Sequence, residues 1–266
     1  MSGGGRSGHS DRVRWLLAAG CALLGGALGP YLAYVAAFFP DGEGRLDRLA
    51  CGRCALAWRM RDAGRLRLGA RCGGCGHPLG PGGPAPWLAG GLFFGAVTWA
   101  VGPAPALPAY LYLAAAGVAL AVADLRVRRL PASITQPSYP VAAALLGLAA
   151  LASGNWPAYG RALCGMAASF GAYLVLYLLH RGGLGFGDVM LAGILGLYLG
   201  WLGWDALVTG AVAGLGLGGL FGAALVLTRR RETHFPLGPF LLAGALVGIL
   251  WGRELAALYQ GAARPG

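Results

Sequence analysis

The chain has 266 residues, of which 57% are hydrophobic and only 12% charged, and its formal net charge is +11. An average soluble domain is roughly 25% charged, so this composition excludes an ordinary water-soluble globule. A net charge of this sign would also suit nucleic acid, but the arginines fall in loops between apolar runs, where the positive-inside rule expects them; no nucleic-acid partner is expected.

A bilayer core about 30 Å thick takes on the order of 20 apolar residues per helix, and a closed backbone makes the helix the natural spanning element. Apolar stretches suited to this role lie at 15–39, 86–102, 107–123, 138–153, 161–180, 189–203, 206–228 and 236–258. The fold class expected is therefore all-α: a polytopic membrane bundle of about eight spans with a small zinc-ribbon-like cytoplasmic insert. Several stretches are short for a full crossing. The first, at about 25 residues, is longer than the usual core of a secretory signal, roughly 7 to 15 residues, and is expected to remain as an uncleaved helix. This divides the chain into an N-terminal segment with its first helix (1–39), a polar loop (40–83) and a transmembrane core (84–266).

The charges suggest an orientation. All 21 basic residues are arginine, and the alternate loops 40–83, 124–137, 181–188 and 229–235 hold 15 of them, leaving 6 for the other side. The N-terminus is expected outside and the first loop in the cytoplasm.

That first loop carries Cys51-Gly-Arg-Cys54 and Cys72-Gly-Gly-Cys75, separated by 17 residues. Two such knuckles bring four thiolates into a tetrahedron about zinc, and a four-cysteine shell leaves no open position for water, so the metal's role is structural. Gly52, Gly73, Gly74 and Gly76 suit knuckle turns. Two disulfides are the competing reading, which a reducing compartment disfavours. His77 is an alternative ligand, whereas Cys21 and Cys164 lie within spans as small apolar residues.

Between residues 84 and 231 the acids are Asp124, Asp188 and Asp205. Ionisable groups near or within spans are costly and are functional candidates by default. Asp124 ends the third span and Asp188 begins the sixth; the two spans between them return the chain to the same face. Asp205 is one crossing further on, at the outer side, and reads as a helix cap. Two carboxylates that meet at a membrane interface share a proton, so one serves as base toward water and the other as acid toward a carbonyl. Gly185 and Gly187 would let an extended peptide approach the backbone closely. Taken singly, Asp124 also fits a helix end beside the snorkelling Arg126, Arg128 and Arg129, and Asp188 fits an N-cap. Composition and topology alone do not choose between a protease and a proton-coupled transporter.

In the seventh span Gly210, Gly214, Gly218 and Gly222 recur every four residues along one helix face. Close packing within the chain is the expected use, with a homodimer as the alternative. His180 and Arg181 precede the second aspartate, and Arg229, Arg230 and Arg231 suit an anchor at an anionic leaflet.

With these residues in view, the chain resembles the prepilin peptidase family, the type IV leader peptidases of the GxGD aspartyl class. Gly185-Phe186-Gly187-Asp188 looks like the family's GxGD signature. Asp124-Leu-Arg-Val-Arg-Arg-Leu-Pro131 is similar to its upstream aspartate with a basic turn and a Leu-Pro. Phe235-Pro236-Leu237-Gly238-Pro239-Phe240 is close to its Pro-Phe-Gly-Pro-Phe, and paired CxxC knuckles in the first cytoplasmic loop belong to the same pattern. The resemblance implies an aspartic endopeptidase in the bacterial inner membrane with Asp124 and Asp188 catalytic, which removes a short basic leader from prepilins or pilin-like secretion subunits. In many members the same protein then methylates the new N-terminus with S-adenosylmethionine.

Departures from the pattern bear on that second activity. The family's early Asn and Arg are Ala33 and Phe38, a glutamate after the zinc loop is Ala89, and a lysine two residues beyond the second aspartate is Met190. These losses touch methylation and substrate positioning more than proteolysis. A catalytically idle scaffold for pilus or secretion assembly is the third reading they leave open.

Overall fold

The structure is a computed structural model that describes residues 4–37, 48–50, 54, 57–59, 72–76, 84–127, 130–179, 184–227 and 236–262. Eight helices appear among them: α1 (Gly4–Ala37), α2 (Ala85–Val101), α3 (Leu107–Val127), α4 (Ala132–Ser153), α5 (Trp156–Leu179), α6 (Phe186–Leu202), α7 (Trp204–Leu227) and α8 (Gly238–Ala262). Six are long and apolar enough to cross a membrane, while α2 and α6, at 17 residues each, are shorter. A 17-residue helix rises only about 25 Å. The protein is thus a multi-pass membrane protein: of the eight stretches expected as spans, six form helices of crossing length and two form shorter apolar helices.

The boundaries differ from the sequence reading mainly at helix starts. The stretch expected at 138–153 begins as helix at Ala132, and the one expected at 161–180 begins at Trp156. In both cases the first turns are too polar or proline-rich to score as apolar, yet they are helical. Within α4, Pro137 and Pro140 each remove a ladder donor. Side chains stitch this turn: Ser138 Oγ donates to the Ile134 carbonyl at 2.7 Å and lies 3.0 Å from the Tyr112 hydroxyl.

The chain divides into two compact units. One contains Met1–Pro103 and Ala114–Pro131; the other contains Ala104–Leu113 and Ala132–Gly266. In the first, α1 packs on α2 through glycine. A Cβ on Gly25 would come within 2.5 Å of the Gly90 carbonyl oxygen, and one on Gly29 would overlap the Pro86 carbonyl. The same unit holds a short antiparallel hairpin, β1 (Arg48–Ala50) with β2 (Ala57–Arg59), in register Arg48↔Arg59, Leu49↔Trp58 and Ala50↔Ala57.

In the second unit α6 is the central element, almost wholly buried from Asp188 to Gly200 and packed against α4, α5, α7 and α8. The α5–α6 contact is again glycine-mediated: a Cβ on Gly165 would meet the Gly196 carbonyl oxygen at 2.6 Å, and one on Gly196 would meet Ser169 Oγ at 2.6 Å. Of the ridge expected on α7, Gly210, Gly214 and Gly218 pack within the chain. Gly210 and Gly214 approach α8 backbone at Gly244 and Leu241, and Gly218 approaches Leu237. The facing glycines Gly244, Gly248 and Gly252 on α8 have no room for a Cβ either. Without a hydrophobic drive between helices in lipid, such backbone approach is what gives them cohesion.

Candidate active site and thiolate cluster

Asp188 stands at the third position of α6. Gly185 precedes the helix in an extended conformation (φ −81°, ψ 146°). Its N–H donates to Asp188 Oδ2 at 3.1 Å, and the Asp188 N–H donates back to the Gly185 carbonyl at 3.0 Å. The carboxylate thereby takes up a backbone donor of the kind that a helix start leaves unsatisfied, in the favourable field of the helix N-terminus. A Cβ on Gly185 would lie 3.2 Å from Asp188 Oδ2, so glycine here lets the carboxylate close on its own turn. This is a second reason for glycine, beside the approach of a peptide expected from sequence.

Asp188 is buried, while Gly185 and Phe186 immediately before it are exposed and Gly187 is half-buried. Phe186 rests edge-on against Tyr177 of α5, with ring centroids 5.9 Å apart. Tyr139 of α4, a residue that the sequence did not single out, donates its hydroxyl to the Met190 carbonyl at 2.7 Å, two residues beyond Asp188. A tyrosine between two prolines carries no periodic signal that would have pointed to it.

The Pro236–Pro239 segment starts α8, which packs on α6 and runs in the same direction, because α7 returns the chain between them. Gly238 is buried, Pro236 and Pro239 are half-buried, and the Leu237 carbonyl receives the N–H groups of Phe240 and Leu241 at 3.0 and 3.1 Å. Pro236, Gly238 and Pro239 therefore lie at the same end of this unit as the Gly185–Asp188 turn. Phe235, His180 and Arg181 lie outside the described residues.

Asp124 sits in the last turn of α3 and is 4% exposed, with Ala123 buried beside it and Leu125 and Arg126 exposed. It belongs to the other unit. Each candidate acid is therefore a buried carboxylate at the end of an apolar helix. Asp205 is exposed in the first turn of α7, consistent with a helix-start role.

The thiol cluster also belongs to the unit that holds Asp124. The ligand atoms of Cys54, Cys72 and Cys75 all lie within 4.8 Å of one another, and Cys54 Sγ and Cys72 Sγ are 3.4 Å apart. A tetrahedral ion with bonds near 2.3 Å sets its sulfurs roughly 3.8 Å apart, whereas a disulfide needs about 2.05 Å. These three residues fit a metal. Cys51 and His77 lie outside the described residues; Cys54 stands between the paired strands β1 and β2 in sequence. At the second knuckle the Gly74 N–H points at Cys72 Sγ at 3.4 Å, and Gly76, at φ 68°, closes the turn by donating to the Cys72 carbonyl at 2.8 Å. Burial pushes the Cys72 thiol up; amide hydrogen bonds from Gly74 and Cys75 and the neighbouring Cys54 and Cys75 thiols outweigh it, so its pKa falls below the ordinary thiol value.

Of the positions that depart from the family pattern, Ala33 is fully buried in α1, Ala89 is exposed on α2 and Met190 offers its carbonyl to Tyr139; Phe38 lies outside the described residues.

Apolar helices of membrane length define a multi-pass membrane protein, with buried aspartates near two helix ends and a thiol cluster outside the helices. Residues 111–252 match the Type IV leader peptidase family. The chain belongs to that family, and is thus a membrane peptidase, a hydrolase. A prepilin leader peptidase/N-methyltransferase of Burkholderia pseudomallei is 31% identical over 228 residues, covering 81% of this chain and 71% of the relative. One from Aeromonas hydrophila is 30% identical over 255 residues, 85% and 82% of the two chains. One from Pseudomonas aeruginosa is 29% identical over 228 residues, 80% and 75%. No solved structure matches.

Proposed function

We propose that this protein removes the basic leader from type IV prepilins or pilin-like secretion subunits, with Asp124 and Asp188 as its catalytic pair. The observation that carries this reading is the burial of two carboxylates at the end of α3 and the start of α6, with two membrane-length helices, α4 and α5, between them. Two crossings bring the chain back to one membrane surface. Keeping an acid buried there is costly, and a shared catalytic role accounts for both.

In this mechanism one carboxylate takes a proton from water as the water oxygen attacks the scissile carbonyl carbon. The other gives its proton to the amide nitrogen, the C–N bond breaks, and a carboxylic acid and an amine result. The exposed Gly185 and Phe186, with Gly187, Pro236, Gly238 and Pro239, form the surroundings that an extended leader junction would meet, while the apolar part of the substrate stays in the bilayer. The charge map supports placing this end at the cytoplasmic face of the inner membrane.

Cys51, Cys54, Cys72 and Cys75 hold a structural zinc in the 40–83 loop, which stands as an extramembrane module between the first helix (1–39) and the peptidase core (84–266). Methylation of the new N-terminus from S-adenosylmethionine rests on the names of the relatives alone, and Ala33, Phe38, Ala89 and Met190 weigh against it. Proteolysis is the activity that the residues carry.

The test is co-expression of a prepilin with the wild type, Asp124→Asn and Asp188→Asn. Both variants should insert and leave the prepilin unprocessed; processing retained by both would refute the assignment.

A further inference from the structure

From the clamp between α4 and α6 we infer that Tyr139 is a positioning residue for Asp188, and that Gly193 is the seat which lets it act; this rests on the peptidase reading above.

Three contacts define the clamp. The Tyr139 hydroxyl donates to the Met190 carbonyl at 2.7 Å, in the turn that follows Asp188. A Cβ on Gly193 would overlap Tyr139 Oη and would stand 3.2 Å from Tyr139 Cζ and 3.3 Å from Phe170 Cβ. The hydroxyl thus occupies the space that any side chain at 193 would take. Phe186, on the other side of Asp188 in sequence, is braced against Tyr177 at 5.9 Å. The turn that carries the carboxylate is therefore held from α5 before Asp188 and from α4 after it.

The Met190 carbonyl lies inside α6, where the helix ladder already uses it. A hydroxyl aimed at it adds a lateral tie that resists rotation and axial slip of the first turn. The donor comes from a segment of α4 whose own ladder is interrupted at Pro137 and Pro140. Tyr139 thus sits where α4 is least held by its own backbone, and its bond to α6 orders both helices at once. A displacement of about 1 Å in a reacting group can cost on the order of 100-fold in rate, so a tie this near the carboxylate should be read in turnover.

The experiment uses the full-length protein purified in detergent micelles, with a prepilin as substrate and Asp188→Asn as the inactive reference. Tyr139→Phe keeps the ring and removes the donor. Its kcat should fall about tenfold while KM stays within about twofold, because the lost contact holds a catalytic group and touches no substrate. Gly193→Ala should lower kcat in the wild-type background and cost clearly less when Tyr139 is already Phe, since the methyl then displaces no hydroxyl. A kcat for Tyr139→Phe within twofold of wild type, or additive losses in the double variant, would overturn the inference while inactivity of Asp188→Asn left the peptidase assignment intact. Activity retained by Asp188→Asn would instead remove the reading on which it stands.

Discussion

Arg161 of α5 donates through Nε to the carbonyl oxygen of Gly200 in α6 at 2.9 Å. Its Nη2 reaches the next carbonyl, that of Trp201, at 2.8 Å. In the other unit Arg14 of α1 does the same for α2, with Nε donating to Trp99 at 2.7 Å and Nη2 to Ala100 at 3.2 Å, while its guanidinium lies over the Trp99 ring. Among the described residues, both helices too short for an easy crossing have late carbonyls that receive an arginine from the helix packed beside them. A helix that ends early leaves acceptors near the apolar zone, where water does not satisfy them, and a cation at a helix C-terminus is favoured by the dipole as well. Arg161→Leu should therefore destabilise the protein by about 2 kcal/mol, read as a lowered melting temperature in detergent, and Arg161→Lys should recover only part of the loss. An unchanged melting temperature for Arg161→Leu would contradict this account.

Asp188 has both a local structural role and a proposed chemical one, and the two are separable. Asn retains an oxygen that can accept the Gly185 N–H, so Asp188→Asn should change stability by less than about 1 kcal/mol while abolishing cleavage. Asp188→Leu should lose both. Equal destabilisation by Asn and Leu would mean that the charge itself, rather than the acceptor, stabilises the turn.

Metal content tests the thiol cluster. Purified protein should carry about one zinc, and Cys72→Ser or Cys51→Ser should release it. The lowered pKa of Cys72 means that its thiolate persists to lower pH than that of an ordinary thiol. Uptake by metal-free protein should accordingly rise with pH and begin below the usual thiol range. Full zinc occupancy after both substitutions, measured by elemental analysis, would exclude this ligand set.

The glycine contacts predict an asymmetry along α7 and α8. A Cβ on Gly248 would overlap the Ala206 carbonyl and come within 2.9 Å of Gly210 Cα, whereas nothing lies within 4 Å of one on Gly216 or Gly219. Gly248→Val should cost on the order of 3 kcal/mol or prevent folding through overpacking, while Gly219→Ala should be neutral or mildly stabilising, since alanine is the better helix former. Thermal unfolding in detergent checks both, and equal effects would show that the α7–α8 contact is looser than described.

Much of this protein is written in local pattern. Runs of apolar residues of membrane length name the helices, because no other element satisfies its backbone in lipid. Paired cysteines at knuckle spacing mark a candidate metal loop, and aspartates at the ends of apolar runs stand out because almost nothing else there is charged. The starts of α4 and α5 were less legible: Thr135, Pro137 and Tyr159 look like loop residues and are helical, since tertiary hydrogen bonds and packing outweigh propensity.

The amino-acid order by itself determined that the chain spans a membrane, that Asp124 and Asp188 are its candidate acids and that four cysteines stand at the spacing of a candidate ligand set, since each of these is a matter of composition and spacing. Only the tertiary structure decided that Gly244, Gly248 and Gly252 receive α7, that Arg14 and Arg161 close the ends of the short helices and that Tyr139 reaches the turn beyond Asp188. The physical reason is that a hydrogen bond between helices depends on which faces meet and at what depth, and neither is encoded in the periodicity of one helix alone.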